Sequence, residues 1–459
     1  MTVLTCTSPI DGSVFATRKT LNETDARAAI AETRAAQAAW AARPLQERIR
    51  LVMAGVAAVG AMNDEIVPEL ARMMGRPVRY GGEFGGFNER ASHMADIAEQ
   101  ALADIEVSND DTFHRYIRRL PQGVVFVVAP WNYPYMTAIN TVAPALIAGN
   151  AVVLKHATQT LSVGERMAAA FHAAGIPEAV FRNVFLTHDT TSALIAGGQF
   201  DFINFTGSVG GGQAMERAAA GTFTGLGLEL GGKDPGYVIE DADPIAAADG
   251  LIDAAMFNSG QCCCGIERIY VHKSLFDDFV ARAVEIVQGY RLGNPLDLET
   301  TLGPMAHARF AAEVRAQIDE ALEMGATAHI ETFAEDDGGC YLTPQILTNV
   351  THEMRVMRDE SFGPVVGIMP VSGDEEAIRL MNDSPFGLTA SLWTRDTARA
   401  ARIGDRIETG TVFMNRADYL DPALCWTGCK STGRGGALSV IGYHNLTRPK
   451  SYHLKKATT

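Results

Sequence analysis

Three segments set a reactive or polar side chain beside glycine and proline turns, where a substrate can reach the backbone. In Phe257-Asn-Ser-Gly-Gln-Cys-Cys-Cys-Gly265, glycines on both sides of a cysteine triplet allow a sharp turn that would present one sulfur, Cys263, as a nucleophile. Packing of three small thiols in a core accounts for the triplet as well. A metal site fits poorly, because adjacent thiols lack the spaced geometry of a C-x-x-C pair and no histidine is near in sequence. In Leu228-Glu-Leu-Gly-Gly-Lys-Asp-Pro235, Glu229 stands among apolar residues, where burial raises a carboxyl pKa towards neutrality and makes it a base; a solvated strand-end glutamate is the alternative. In Val127-Val-Ala-Pro-Trp-Asn-Tyr-Pro134 a strand runs into a proline-bounded loop, and Asn132 falls where strand ends line the crevice of an α/β sheet. Its amide can donate to a developing oxyanion, a contact worth about 3 to 4 kcal/mol in other enzymes. A turn-forming asparagine explains it too.

Together these segments resemble the signatures of the aldehyde dehydrogenase superfamily: P-W-N-[FY]-P at Pro130 to Pro134, E-L-G-G-K at Glu229 to Lys233, and G-Q-x-C at Gly260 to Cys263. The similarity runs from about Ala26 through Lys450 and includes Glu360-Ser-Phe-Gly-Pro-Val365 and Phe386-Gly-Leu388. The resemblance implies a hydrolytic, NAD(P)⁺-dependent oxidation of an aldehyde to an acid. Cys263 would be the nucleophile, Asn132 and the Cys263 backbone N–H the oxyanion donors, and Glu229 the group that activates water. It also implies that Lys155 bonds the adenosine ribose, Glu360 the nicotinamide ribose, that Phe362 lies against the nicotinamide, and that Trp131 belongs to the cofactor set. Phe205-Thr-Gly-Ser-Val-Gly-Gly-Gly212 is similar to the family's F-T-G-S-x-x-x-G, which assigns the pyrophosphate to Gly207, Ser208 and Gly212 at a strand end and helix start. A cationic nicotinamide and a helix N-terminus would both favour the thiolate of Cys263.

Two departures from the family pattern bear on specificity. Many NAD-preferring relatives carry an acidic residue three positions after the ribose lysine; here it is Thr158, which does not repel a 2′-phosphate and predicts NADP⁺ acceptance. The family's G-R-E reads Gly433-Arg-Gly435, and the segment that shapes the aldehyde pocket is Asn415 to Trp426. Tyr133, Met136, Cys262, Cys264, Leu420 and Trp426 are expected to wall an aromatic and apolar mouth for a medium-sized or aromatic aldehyde. Arg416 could instead recruit a carboxylate or other anion, with a purely structural arginine as the equal alternative. Two rivals stand beside this reading: a CoA-acylating enzyme, opposed by the presence of Glu229, and a catalytically silent protein on the same fold.

The elements that must position these residues follow from periodicity. From Asn22 to about Glu106 apolar residues recur at helical spacing, with Asn22 as a helix cap. After Gly123, short β-branched runs alternate with helical patterns, the mark of a parallel sheet covered on both faces. A second such block begins near Gly231 and includes an amphipathic helix capped by Ser274. The expected fold is α/β: a Rossmann-like cofactor domain (1–109 and 124–230), an α/β catalytic domain (231–430) and a small β oligomerisation arm (110–123 and 431–459). The arm comprises a hairpin over Arg115 to Gly123 and a strand near Tyr443 to Lys456, giving a homodimer or homotetramer.

Composition supports an ordinary enzyme. The chain has 459 residues, 47% of them hydrophobic, enough for several cores. A formal net charge of −15 disfavours nucleic acid and anionic membrane as partners. The absence of a leader-like N-terminus and of a long apolar run predicts neither secretion nor membrane insertion. Seven cysteines, three of them adjacent, make a poor disulfide framework and point to a reducing cytoplasm.

Overall fold

Residues 2–457 are described by a computed structural model; Met1, Thr458 and Thr459, at the outer ends of the expected domains, lie outside it. The strand Val124–Ala129 is buried along its whole length, which is why its sequence is an unbroken apolar run. It occupies the middle of a six-stranded sheet in the order Gly433–Arg434, Gly225–Glu229, Phe202–Thr206, Val124–Ala129, Ala151–His156, Phe181–Asn183. All its pairings are parallel except that of Gly433–Arg434. From Val124–Ala129 the chain moves outward on one side, then returns to place Phe202–Thr206 on the other. The loops after these two neighbouring strands therefore flank a topological switch point, where α/β sheets bind ligands. Trp131 and Asn132 follow one strand; Gly207 and Ser208 follow the other.

A seven-stranded sheet runs Thr327–Ala328, Gln345–Thr348, Val365–Val371, Ile266–His272, Asp234–Val238, Thr389–Trp393, Thr411–Met414, parallel except at its first pair. A three-stranded antiparallel sheet joins Ile105–Asn109, Phe113–Pro121 and Thr447–Lys455, with Tyr116 and Tyr452 stacked at 4.6 Å. The expected α/β architecture with a separate β arm is thus present.

Several details differ from the expectation. The hairpin begins at Ile105 rather than Arg115, because Ile105–Asn109 pairs with Phe113–Pro121. Of the tail, Gly433–Arg434 pairs with Leu228 and Glu229 in the six-stranded sheet and Ser439–Asn445 is helical, so only Thr447–Lys455 is the arm's strand. Asn22 caps its helix as read, accepting from the Asp25 N–H at 2.8 Å. Ser274 does not: the helix Phe276–Gln288 has Leu275 at its cap, and the Ser274 hydroxyl sits 2.7 Å from His272 Nδ1. A hairpin of Val3–Thr7 and Val14–Lys19 precedes the first helix. Its signal was the Asp11-Gly12 dipeptide between two short alternating runs.

Candidate active site

One continuous cavity of about 910 Å³ opens between the two parallel sheets and contains Cys263, Glu229, Asn132, Trp131, Lys155, Thr158, Gly207, Ser208, Glu360 and Phe362 in its lining. Glycines bring these segments together. A side chain at Gly232 would lie 2.4 Å from the Cys263 carbonyl oxygen, and one at Gly231 would strike the Glu360 carboxylate. Gly260 turns the cysteine segment with a φ of +68°, and its Cα side faces the Gly363 carbonyl too closely for any Cβ. Close backbone approach therefore requires glycine at 232 and 260, and Gly231 leaves room for the Glu360 carboxylate.

Cys263 is partly accessible, whereas Cys262 and Cys264 are buried; the three sulfurs lie within 4.8 Å of one another. Hydrogen bonds from the Cys262 and Cys264 thiols hold Cys263 below the ordinary thiol range, at about 6, against burial and the fields of Asp418 and Asp234. Both thiols also reach Asp418 Oδ1, at 3.2 and 3.0 Å. Burial keeps the Asp418 carboxyl protonated well above its usual range, so Cys263 is the anionic acceptor of this cluster. The expected helix N-terminus is not supplied by this segment: Cys263 lies in a turn between a 3₁₀ helix and the strand Ile266–His272.

Burial pushes the Glu229 carboxyl up to about 7, opposed by hydrogen bonds from Asn204 and Thr206 and by the charge of Arg90. Thr206 Oγ1 donates to Glu229 Oε2 at 3.4 Å. Asn132 Nδ2 gives one hydrogen to the Gln261 carbonyl at 3.1 Å, which ties the two loops together and leaves the second for a ligand. Behind Asn132, the guanidinium of Arg76 donates to the Asn132 carbonyl and pairs with Glu83 at 2.8 Å, both side chains buried. Glu83 Oε2 in turn accepts from the backbone N–H groups of Tyr135 and Met136 at 2.9 and 2.8 Å, anchoring the start of the helix Pro134–Ile147. Glu83→Gln leaves Arg76 charged and unpaired in the interior, and is expected to cost about 3 to 5 kcal/mol of stability. Denaturant titration of the purified variant checks it; a loss below about 1 kcal/mol would contradict the anchoring role.

The remaining donors fit a dinucleotide. Lys155 is buried at a strand end with no ion-pair partner among the described residues. Ser208 caps the helix Val209–Ala219, its hydroxyl accepting from the Gly211 N–H, so the first-turn amides without intrahelical acceptors open beside the cavity. Glu360 Oε1 accepts from the Gly232 N–H at 3.1 Å, and Phe362 meets Trp131 edge to face at 5.5 Å. The Glu360–Phe362 segment is held from beneath by Glu267, whose carboxylate accepts from the Ser361 and Phe362 N–H groups and pairs with Lys233 at 2.6 Å.

Three sequence-based assignments are corrected. Gly212 is absent from the cavity lining: its N–H is bound to the Ser208 carbonyl, and its missing side chain lets the helix approach Leu230. Cys262 and Cys264 border the cavity, but their S–H groups are turned to Asp418 Oδ1 beside Cys263 and do not form an open apolar mouth. Arg416 is exposed, stacked 3.6 Å over the Tyr419 ring, and is not part of the lining. Tyr133, Met136, Leu420 and Trp426 line the cavity as expected. Sequence reasoning missed Arg76, Glu83, Arg90, Glu267 and Asp418. Only Glu267 left a clear trace, as one of two adjacent charges, with Arg268, inside the strand run Ile266-Glu-Arg-Ile-Tyr-Val.

A Rossmann-like sheet whose switch point opens onto a thiol, an amide and a carboxyl defines the class of dinucleotide-dependent oxidoreductases with a cysteine at the reacting centre. Residues 2–452 match the family model described as "Aldehyde dehydrogenase family". An "Aldehyde dehydrogenase" of Paenarthrobacter nicotinovorans is 34% identical over 92% of this chain and 94% of its own length. A 2-hydroxymuconic semialdehyde dehydrogenase of Pseudomonas putida is 32% identical over 96% of this chain and 94% of its own. The NADP-dependent glyceraldehyde-3-phosphate dehydrogenase of Bacillus halodurans, solved with NADP, superposes with a TM-score of 0.93 at 32% identity, covering 99% of this chain and 96% of that one. This chain belongs to the aldehyde dehydrogenase family and is an NAD(P)-dependent oxidoreductase that converts aldehydes to acids.

Proposed function

We propose that Cys263, Asn132 and Glu229 carry the reaction, a reading that rests above all on their convergence in one cavity at the sheet's switch point. The Cys263 thiolate attacks the aldehyde carbon, forming a C–S bond. The free N–H of Asn132 stabilises the oxygen that becomes anionic. Lys155, Ser208, the first-turn amides and Glu360 would hold NAD(P)⁺, which would supply the hydride acceptor when bound; departure of the hydride from this carbon leaves a thioester on Sγ. Glu229 takes a proton from water, water adds to the thioester carbon, and the C–S bond breaks to release the acid and restore the thiolate. The test is acid formation from aldehyde and NAD(P)⁺ without CoA, one acid per reduced cofactor; an absolute requirement for CoA would select the acylating alternative.

NADP⁺ is the cofactor that Thr158 accommodates. It is exposed in the short 3₁₀ turn after Lys155, borders the cavity, and places no carboxylate against a 2′-phosphate. The NADP bound in the B. halodurans relative supports the same choice. Thr158→Glu is expected to lower kcat/KM for NADP⁺ by at least about 10-fold relative to NAD⁺, through repulsion of like charges. A strong preference of the unaltered enzyme for NAD⁺ would overturn the assignment.

We infer a cofactor domain built on the six-stranded sheet, a catalytic domain on the seven-stranded sheet and an arm on the three-stranded sheet. The exposed edges of the three-stranded sheet suit pairing with a second copy, giving a homodimer or homotetramer, to be read as mass by sedimentation equilibrium. No single helix among the described residues is long and apolar enough to cross a membrane.

A further inference from the structure

The cavity lining also holds a cation whose field reaches Glu229 but which has no ion-pair partner among the described residues. Arg90, on the helix Phe84–Ala101, is buried and lines the cavity together with Met136 and Asn140 of the helix Pro134–Ile147. Its Nη1 donates to the Met136 carbonyl at 3.0 Å and towards Asn140 Oδ1 at 3.4 Å. Among the described residues its buried Nε has no hydrogen-bond partner. No carboxylate stands within ion-pair distance of it among those residues. Glu83, the nearest candidate by its electrostatic effect, is already bound to Arg76 and to the Tyr135 and Met136 amides.

A buried guanidinium without a counter-ion is costly, because desolvation is repaid only by a matched anion. No neighbouring carboxylate pairs with it among the described residues: Glu229 feels the Arg90 charge, but burial raises its carboxyl to about 7 and Thr206 holds it. Glu89 accepts from the Tyr419 hydroxyl at 2.6 Å, and Asp418 is held protonated by burial. Asn140, with Oδ1 turned to Arg90, has its Nδ2 free to donate, so a planar fork and an amide donor converge on the same stretch of wall. Met136, Leu420 and Trp426 line the same cavity and offer apolar surface to a carbon chain that carries the anion, and the planar fork of Arg90 matches a planar carboxylate.

We propose that Arg90 and Asn140 form the subsite for a terminal carboxylate, so that the preferred substrates are ω-oxo acids, bound with the aldehyde at Cys263 and the carboxylate at Arg90. The proposal rests on the placement of the aldehyde at Cys263 argued above.

The experiment compares three aldehydes of equal length, in the four- to six-carbon range: the ω-oxo acid, its methyl ester and the unsubstituted n-aldehyde, each followed by NADPH absorbance. The unaltered enzyme is expected to favour the best ω-oxo acid over its ester by at least about 50-fold in kcat/KM, from charge-assisted bidentate hydrogen bonds. Arg90→Met collapses that ratio to below about 3-fold, and Arg90→Lys, which keeps charge without the fork, gives an intermediate ratio. A ratio near unity in the unaltered enzyme overturns the proposal, whether or not the variants fold. An equal loss for acid and ester in Arg90→Met also overturns it, because it makes Arg90 a packing residue of the two helices. Absence of turnover with all three aldehydes and with other simple aldehydes would instead remove the catalytic reading, so the two failures are distinguishable.

Discussion

Cys263→Ala is expected to reduce aldehyde-dependent formation of NAD(P)H by at least about 10³-fold, since removal of the sulfur leaves no group to form the C–S bond. The fold has little reason to respond. Cys263 is only partly buried, and trimming one sulfur at a cavity wall leaves no enclosed void. Cys262→Ala and Cys264→Ala separate the catalytic from the packing interpretation of the triplet. Each removes an S–H donor that holds Cys263 below the usual thiol range, so the alkylation profile of Cys263 with iodoacetamide moves to higher pH in both. Turnover retained in Cys263→Ala would return the triplet to a core-packing role.

Glu229→Gln is expected to slow steady-state acid formation by about 10² to 10⁴-fold, the range for loss of a positioned base. Hydride departure precedes its step, so a stopped-flow trace should keep a burst of reduced cofactor near one per site, followed by a slow phase set by thioester hydrolysis. The pH dependence has a definite sign. A base acts in its deprotonated form; with the carboxyl raised by burial to about 7, hydrolysis reaches its plateau above that pH and falls about tenfold per unit below it. Glu229→Gln removes that limb. Loss of the burst along with the steady state would place Glu229 in an earlier step.

Much of the molecule was legible because local rules act on few residues. Val124 to Ala129 is apolar at every position, and a strand buried on both faces has no other composition available. Asn22 accepts from the Asp25 amide because capping is decided within one turn. A strand over Tyr443 to Lys456 is the reading of the tail, and it holds only for Thr447–Lys455; the helix Ser439–Asn445 overlaps its start, since seven residues give too short a window for period to discriminate. Ser274 had the chemistry of a cap and lost the position to a local bond with His272.

The site divides in the same way. The identities of nucleophile, amide and carboxyl, and the glycines beside them, stand in contiguous motifs, and the sequence by itself determined them along with the alternating α/β plan. What only the tertiary structure decided is everything that depends on groups far apart in the chain meeting in a dry interior. It set the Glu229 pKa through burial, committed Cys262 and Cys264 to hydrogen bonds, and spent Gly212 on helix packing. It also brought Arg76 to Asn132 and set Arg90 beside Asn140. A residue's type fixes the bonds it is able to make; desolvation and the partners within about 3 Å fix their strength, and neither is a local property of the chain.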